Sequence, residues 1–209
     1  MRGLEASCGG EPDTTYGVEE RASDVFSAWM RPHSPVNMFL ALNTCQVRSW
    51  RASDLESLVA HANNRNIWLN LRDRFPHPYT KPDGREFIRE VHHRTPETAF
   101  AIAVDGQAVG GIGFMLHPDV ERVSAEIGYW LGEPFWGRGI MTEALVAVTR
   151  YAIDTHKLTR LYAVPFAGNM ASCRVLEKAG YILEARLRRS AIKDGRIVDQ
   201  LQYAFIAPI

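Results

Sequence analysis

One stretch constrains this chain more than any other: residues 126–143, Glu-Ile-Gly-Tyr-Trp-Leu-Gly-Glu-Pro-Phe-Trp-Gly-Arg-Gly-Ile-Met-Thr-Glu. Residues 127–131 are apolar and aromatic and read as a strand. Gly132, Glu133 and Pro134 break it, Trp136-Gly137-Arg138-Gly139 follows, and a helical pattern begins at once. A strand entering a helix through a glycine loop makes an anion site. The first helical N–H groups have no internal acceptor, and the positive end of the helix dipole lies there. Glycine lets the main chain approach a phosphate closely, and Arg138 adds a cation. The reading is a pyrophosphate cradle formed by Trp136, Gly137, Arg138, Gly139, Ile140, Met141 and Thr142, although a plain strand–loop–helix junction uses the same pattern.

Length and charge narrow the classes around that loop. The 209 residues suit one domain with a sizeable core and some extra chain. Acids and bases balance to a net charge of +0, which gives no field for nucleic acid. No apolar run reaches the length of about 18 residues that a membrane helix needs. Cys8, Cys45 and Cys173 are scattered and odd in number, without a Cys-x-x-Cys pair, so neither a metal site nor a disulfide framework is expected. The corresponding setting is reduced and cytoplasmic.

Two regions differ in rhythm. Residues 1–43 mix glycine, proline and acids with few apolar positions, and are expected to be a loosely held extension lacking the pattern of a signal peptide. An alternative expectation is that translation begins at Met38. The folded domain is placed at residues 44–209, opening with a strand over 45–50. Ser53 with Glu56 fits a capping box for a helix carrying Leu55, Leu58, Val59 and Ala62. A second helix is expected over 85–92. Strands at 100–104, 108–116 and 124–131 are separated by Asp105-Gly106 and His117-Pro118-Asp119.

After the glycine loop, a helix over 140–156 presents Leu145, Val148 and Ala152 on one face, with Met141 a turn earlier. Thr142 can offer a hydroxyl to a phosphate, and Glu143 suits the helix dipole. A strand at 161–166 leads to a helix capped by Asn169 and stopped by Gly180. Two final strands, 183–192 and 197–205, flank Lys193-Asp194-Gly195. Together these elements make an α/β domain with a mixed, mostly antiparallel central sheet flanked by helices.

Two of these segments resemble a known family. The loop from Trp136 to Met141 is similar to the acyl-CoA motif of the GNAT acetyltransferase superfamily, Gln/Arg-x-x-Gly-x-Gly/Ala, with Trp136, Gly139 and Met141 at its defining positions. Asn169, Ser172 and the helix ending Glu177-Lys178-Ala179-Gly180-Tyr181 resemble its ribosomal-protein N-terminal acetyltransferase (RimJ/RimL-like) branch. Met141 departs from the small residue usual there, which leaves a main-chain donor intact.

The resemblance implies a GNAT-like fold, acetyl-CoA as co-substrate without a metal, and transfer to a primary amine on a protein N-terminus or a small molecule. The strand edge at Tyr129, Trp130 and Leu131 is expected to hold the pantetheine arm, and Asn169 to bind that arm or cap its helix. Glu126 is the expected proton acceptor, with an ion pair to Arg122 as the alternative. Ser172 is the expected hydroxyl at the departing thiolate, or else a second cap. Cys173 has no partnered base that would mark it as a nucleophile. Trp68, Phe75, His77 and Tyr79 are candidates for the acceptor side, or core and turn residues. Competing classes are a non-catalytic acyl-CoA-binding or sensing domain and a nucleotide-binding protein. The latter lacks both Gly-x-x-x-x-Gly-Lys-Ser/Thr and Gly-x-Gly-x-x-Gly. A homodimer through the last two strands is a further expectation.

Overall fold

The sheet that carries the site begins well before the glycine loop. A computed structural model describes residues 38–208. Eight strands form one sheet: β1 (Phe39–Ala41), β2 (Gln46–Ser49), β3 (Ala99–Val104), β4 (Gln107–Leu116), β5 (Ser124–Leu131), β6 (Arg160–Ala163), β7 (Ile182–Lys193) and β8 (Arg196–Ile206). Their order is β1-β2-β3-β4-β5-β6-β8-β7, and β5 with β6 is the parallel pair. Short turns connect β3 to β4 and β7 to β8, whereas a parallel neighbour requires a crossover. Helix α4 (Ile140–His156) supplies that crossover between β5 and β6.

The remaining helices are α1 (Leu55–Ala62), α2 (Arg65–Trp68), α3 (Lys81–His93) and α5 (Met170–Lys178). They divide between the two faces of the sheet. Ile127, Leu145, Val148, Leu161 and Leu176 belong to one buried cluster, so α4 and α5 cover that face. Trp50, Leu58, Tyr79, Ile88, Ala101 and Ala108 form the other, beneath α1 and α3. Alternation along β5 decides which residue meets which layer: Ile127 and Leu131 join the first cluster, and Trp130 packs against the second. Each fully buried aliphatic side chain contributes roughly 1.5–3 kcal/mol, which makes these faces strongly specified.

Three expectations change. The boundary at residues 43/44 falls too late, because β1 pairs with β2 and already belongs to the sheet. The expected extension, apart from its last residues, lies outside the described residues. The Ser53–Glu56 capping box is not formed; Asp54 accepts from the Arg51 N–H at 2.8 Å instead and binds the guanidinium of Arg48. A buried arginine from β2 needs a carboxylate, and Asp54 is the one within reach. Glu143 is more than a dipole partner. Its carboxylate accepts from the Asn43 N–H and the Thr44 N–H, fastening the β1–β2 turn to α4.

Candidate active site

The sheet opens at its centre. β5 and β6 pair at Ser124, Ala125 and Glu126 only, opposite Arg160, Leu161 and Tyr162. Beyond them the chain after β6 stays with β8, where Leu201 donates to Pro165 O at 2.9 Å. A wedge is left along residues 127–131 of β5.

Register decides which main-chain groups face the wedge. His117 N–H donates to Ser124 O at 3.2 Å and Gly132 N–H to Val109 O at 2.7 Å, both on the β4 side. Period two therefore turns 126, 128 and 130 toward β4, and 127, 129 and 131 toward the wedge. Tyr129 and Leu131 occupy the open edge as expected. Trp130 does not: its main chain pairs with Gly111 of β4, and its ring packs 5.8 Å from Phe75 on the opposite face.

At the end of this edge the glycine loop turns into α4. Gly137 and Gly139 have φ of +75° and +81°, a region where L side chains are strained. A Cβ on either would meet nothing within 4 Å, so both glycines serve the backbone bend and border open space. The Trp136 indole N–H donates to Leu131 O at 2.7 Å and braces the loop against the strand. The first helical bond runs from Glu143 N–H to Gly139 O, which leaves the N–H groups of Ile140, Met141 and Thr142 ahead of it for an acceptor outside the helix. The Ile140 and Met141 side chains are buried in the core, so these residues serve the site through the main chain. Arg138 is exposed above the Phe135 ring at 5.2 Å. The arrangement fits a pyrophosphate: converging N–H groups, a helix N-terminus, a cation and no side chain in the way.

Across the wedge, Tyr129 reaches from β5 to α5, where its hydroxyl lies 2.9 Å from Ser172 Oγ. Asn169 Oδ1 accepts from Ser172 N–H at 3.1 Å, so Asn169 is the helix cap and Ser172 is not. This leaves the Asn169 Nδ2 group for a ligand. Burial pushes the Tyr129 phenol up, opposed by its bond to Ser172, and the tyrosine stays protonated. Cys173 beside it is buried and its thiol is also pushed up by burial, so it stays protonated and inert.

Glu126 lies on the other face of β5. Its carboxylate is 16% exposed and pairs with Arg72, not with Arg122, which turns back onto Asp119 O at 2.8 Å. Tyr162, opposite Glu126 in the β5–β6 register, bonds His117 Nε2 at 2.9 Å, and the two rings stack at 5.6 Å. Of the acceptor-side candidates, Tyr79 is core and Phe75 packs on it at 4.9 Å. Trp68 and His77 stack at 5.7 Å, and the Lys193 ammonium lies 3.8 Å above the Trp68 ring. Arg72, Tyr162, His117 and Lys193 stand among these candidates, and sequence reasoning did not single them out. No motif marks them, and each is positioned by a distant element.

A splayed parallel pair with an open strand edge, a glycine cradle at one end and a half-buried hydroxyl pair beside it suits an extended ligand with a pyrophosphate at one end. The comparisons then give the family: residues 45–182 match the acetyltransferase (GNAT) domain, and the chain belongs to the GNAT acetyltransferases. It is an acetyl-CoA-dependent N-acetyltransferase. It is 32% identical over 172 residues to a probable N-acetyltransferase, YjcK, of Bacillus subtilis, covering 79% of this chain and 95% of that one. The ribosomal-protein-serine acetyltransferase of Escherichia coli is 30% identical over 116 residues, 56% of this chain and 64% of that protein. Among solved structures, RimL, a ribosomal L7/L12 α-N-protein acetyltransferase in complex with coenzyme A, superposes with a TM-score of 0.73 at 22% identity. It covers 81% of this chain and 98% of that one.

Proposed function

We propose that Glu126 and the Tyr129–Ser172 pair carry the acetyl transfer, and that the acceptor is an α-amino group. The observation that carries the reading is the wedge: it puts a carboxylate on one face of β5 and a hydroxyl pair on the other, with a cradle at its end. Acetyl-CoA supplies an activated carbonyl whose C–S bond breaks as the amine nitrogen forms its C–N bond. The residues of this chain do the rest. The N–H groups of Ile140, Met141 and Thr142 hold the pyrophosphate, and Arg138 adds charge. Leu131 O is engaged by Trp136, so Tyr129 and the Leu131 N–H are the free groups for the pantetheine amides and the carbonyl oxygen.

Glu126 takes the proton that the amine loses, directly or through one water. With Tyr129 donating to Ser172 Oγ, the Ser172 proton is free to point into the wedge and meet the departing thiolate. The names of relatives that act on ribosomal proteins support a protein N-terminus as acceptor. Free, buried Cys45 and Cys173 support a cytoplasmic setting. Exposed Ile182 and Leu183 on edge strand β7 support a homodimer, which sedimentation would test.

Thermal unfolding with acetyl-CoA, CoA, ATP and NAD tests the cradle, since a ligand of the folded state raises the midpoint. A rise with the two CoA species alone, followed by free-thiol release with amines, is the expected outcome. A folded protein unmoved by any of the four would overturn the assignment of the loop.

A further inference from the structure

Arg72, the partner of Glu126, lines a groove of about 310 Å³ together with Asp73, Phe166, Ala191, Ile192, Lys193 and Gln200. Two elements meet over it: the loop between α2 and α3, and the tip of the β7–β8 hairpin. Their charges are unequally engaged. Lys193 is fixed, with a side chain only 5% exposed, held 2.7 Å from Asp73 and above the Trp68 ring. Arg65 pairs with Asp194 at 2.8 Å and ties the same tip to α2. Arg72 differs. Its side chain is 48% exposed and reaches Glu126 through Nη2 alone, and Glu126 is its one carboxylate partner among the described residues. A guanidinium carries a planar fork of donors, so most of its capacity is unused at the groove that Arg72 lines.

If Glu126 is the proton acceptor, the acceptor's nitrogen has to approach the carboxylate that Arg72 now holds. An incoming ammonium would take Arg72's place on Glu126 and release the guanidinium toward the groove. An acceptor with its own carboxylate near the nitrogen satisfies both: ammonium on Glu126, carboxylate on the fork of Arg72. One ion pair is exchanged for two, and no charge is left unmatched. An amine without a carboxylate would displace Arg72 without giving it a new partner. Phe166, Ala191 and Ile192 give the rest of the groove an apolar wall for a short side chain.

We infer that the groove between the α2–α3 loop and the β7–β8 hairpin binds a primary amine carrying a carboxylate close to its nitrogen, with Arg72 as the residue that selects it. This rests on the role of Glu126 proposed above. Two sources offer that chemistry: the α-carboxylate of a free amino acid, and the acidic side chain of a peptide's first residue.

The test is CoA-thiol release with two matched pairs of acceptors: alanine against alaninamide, and the amidated dipeptide Asp-Ala against Asn-Ala. In at least one pair the carboxylate-bearing member is expected to have a kcat/KM at least about tenfold higher, through KM. The pair that discriminates identifies the source. Arg72→Gln should bring that ratio close to one, and Arg72→Lys should retain part of it, since the charge stays and the fork is lost. A retained thermal shift with acetyl-CoA verifies that each variant is folded. Ratios near one in both pairs, a ratio unchanged in Arg72→Gln, or turnover confined to amines without a carboxylate would overturn the inference while leaving acetyl transfer intact. Absence of turnover with every amine would overturn the proposed site along with it.

Discussion

The hydroxyl of Tyr129 on β5 lies 2.9 Å from Ser172 Oγ on α5, bridging the two elements that border the wedge. On the proposed mechanism, removing the serine hydroxyl removes a hydrogen bond to a developing thiolate, an interaction worth about 1.5–3 kcal/mol. Ser172→Ala should therefore lower kcat roughly 10- to 100-fold with little change in the KM for acetyl-CoA. Tyr129→Phe acts through the serine and should cost less, up to about tenfold. The double variant should be no worse than about Ser172→Ala alone, and additive losses in steady-state thiol release would separate the two roles.

Loss of a positioned general base typically costs 10²- to 10⁴-fold, roughly the drop expected in kcat for Glu126→Gln. The thermal shift with acetyl-CoA should survive, because Glu126 and the cradle lie at opposite ends of β5. A variant that keeps wild-type turnover would exclude Glu126 as the proton acceptor.

Gly137 and Gly139 allow a sharper distinction between folding and binding. A Cβ at either meets no protein atom within 4 Å, so Gly139→Ala pays only the left-handed backbone penalty of about 1–2 kcal/mol. The apo melting point should fall modestly. The acetyl-CoA dissociation constant, measured by calorimetry, should rise at least about tenfold, because the same shift misdirects the N–H groups of the cradle. Equal affinity in the variant would show that the loop does not hold the phosphate.

Arg48 and Asp54 form a buried ion pair at 2.7 Å far from the wedge. Breaking one half of such a pair leaves an unmatched buried charge, so Asp54→Ala should destabilise the fold by about 3–5 kcal/mol in urea titration. Replacing both partners with apolar residues should recover much of that loss.

Acid should release the β1–β2 turn through Glu143. Its hydrogen bond from the Thr44 hydroxyl, with further bonds from Asn43 and Thr44, holds this carboxyl below its ordinary value of 4.5. A depressed folded-state value stabilises the native protein above the unfolded value, and that stability is lost as pH falls through the folded one. The carboxylate is solvent-accessible, so the contribution is screened and modest. Glu143→Gln should flatten the acid limb of the stability curve, and amide exchange at Asn43 and Thr44 should accelerate.

The sequence alone determined what is local. The glycine loop, the limits 140–156 of α4, the Asn169 cap and the hairpin turns are legible because strand alternation, helix periodicity and capping each involve residues within a few positions of one another. The family motif is of the same kind. Tertiary structure decided the rest. Glu126 and Arg72 are 54 positions apart, and Tyr129 and Ser172 are 43 apart. Their meeting depends on the order β4-β5-β6-β8 and on where β5 parts from β6. Alternation already put Tyr129 and Glu126 on opposite faces of their strand. Only the packed sheet could say that α5 waits on one side and the α2–α3 loop on the other, because those partners are chosen by burial and charge matching across the whole domain.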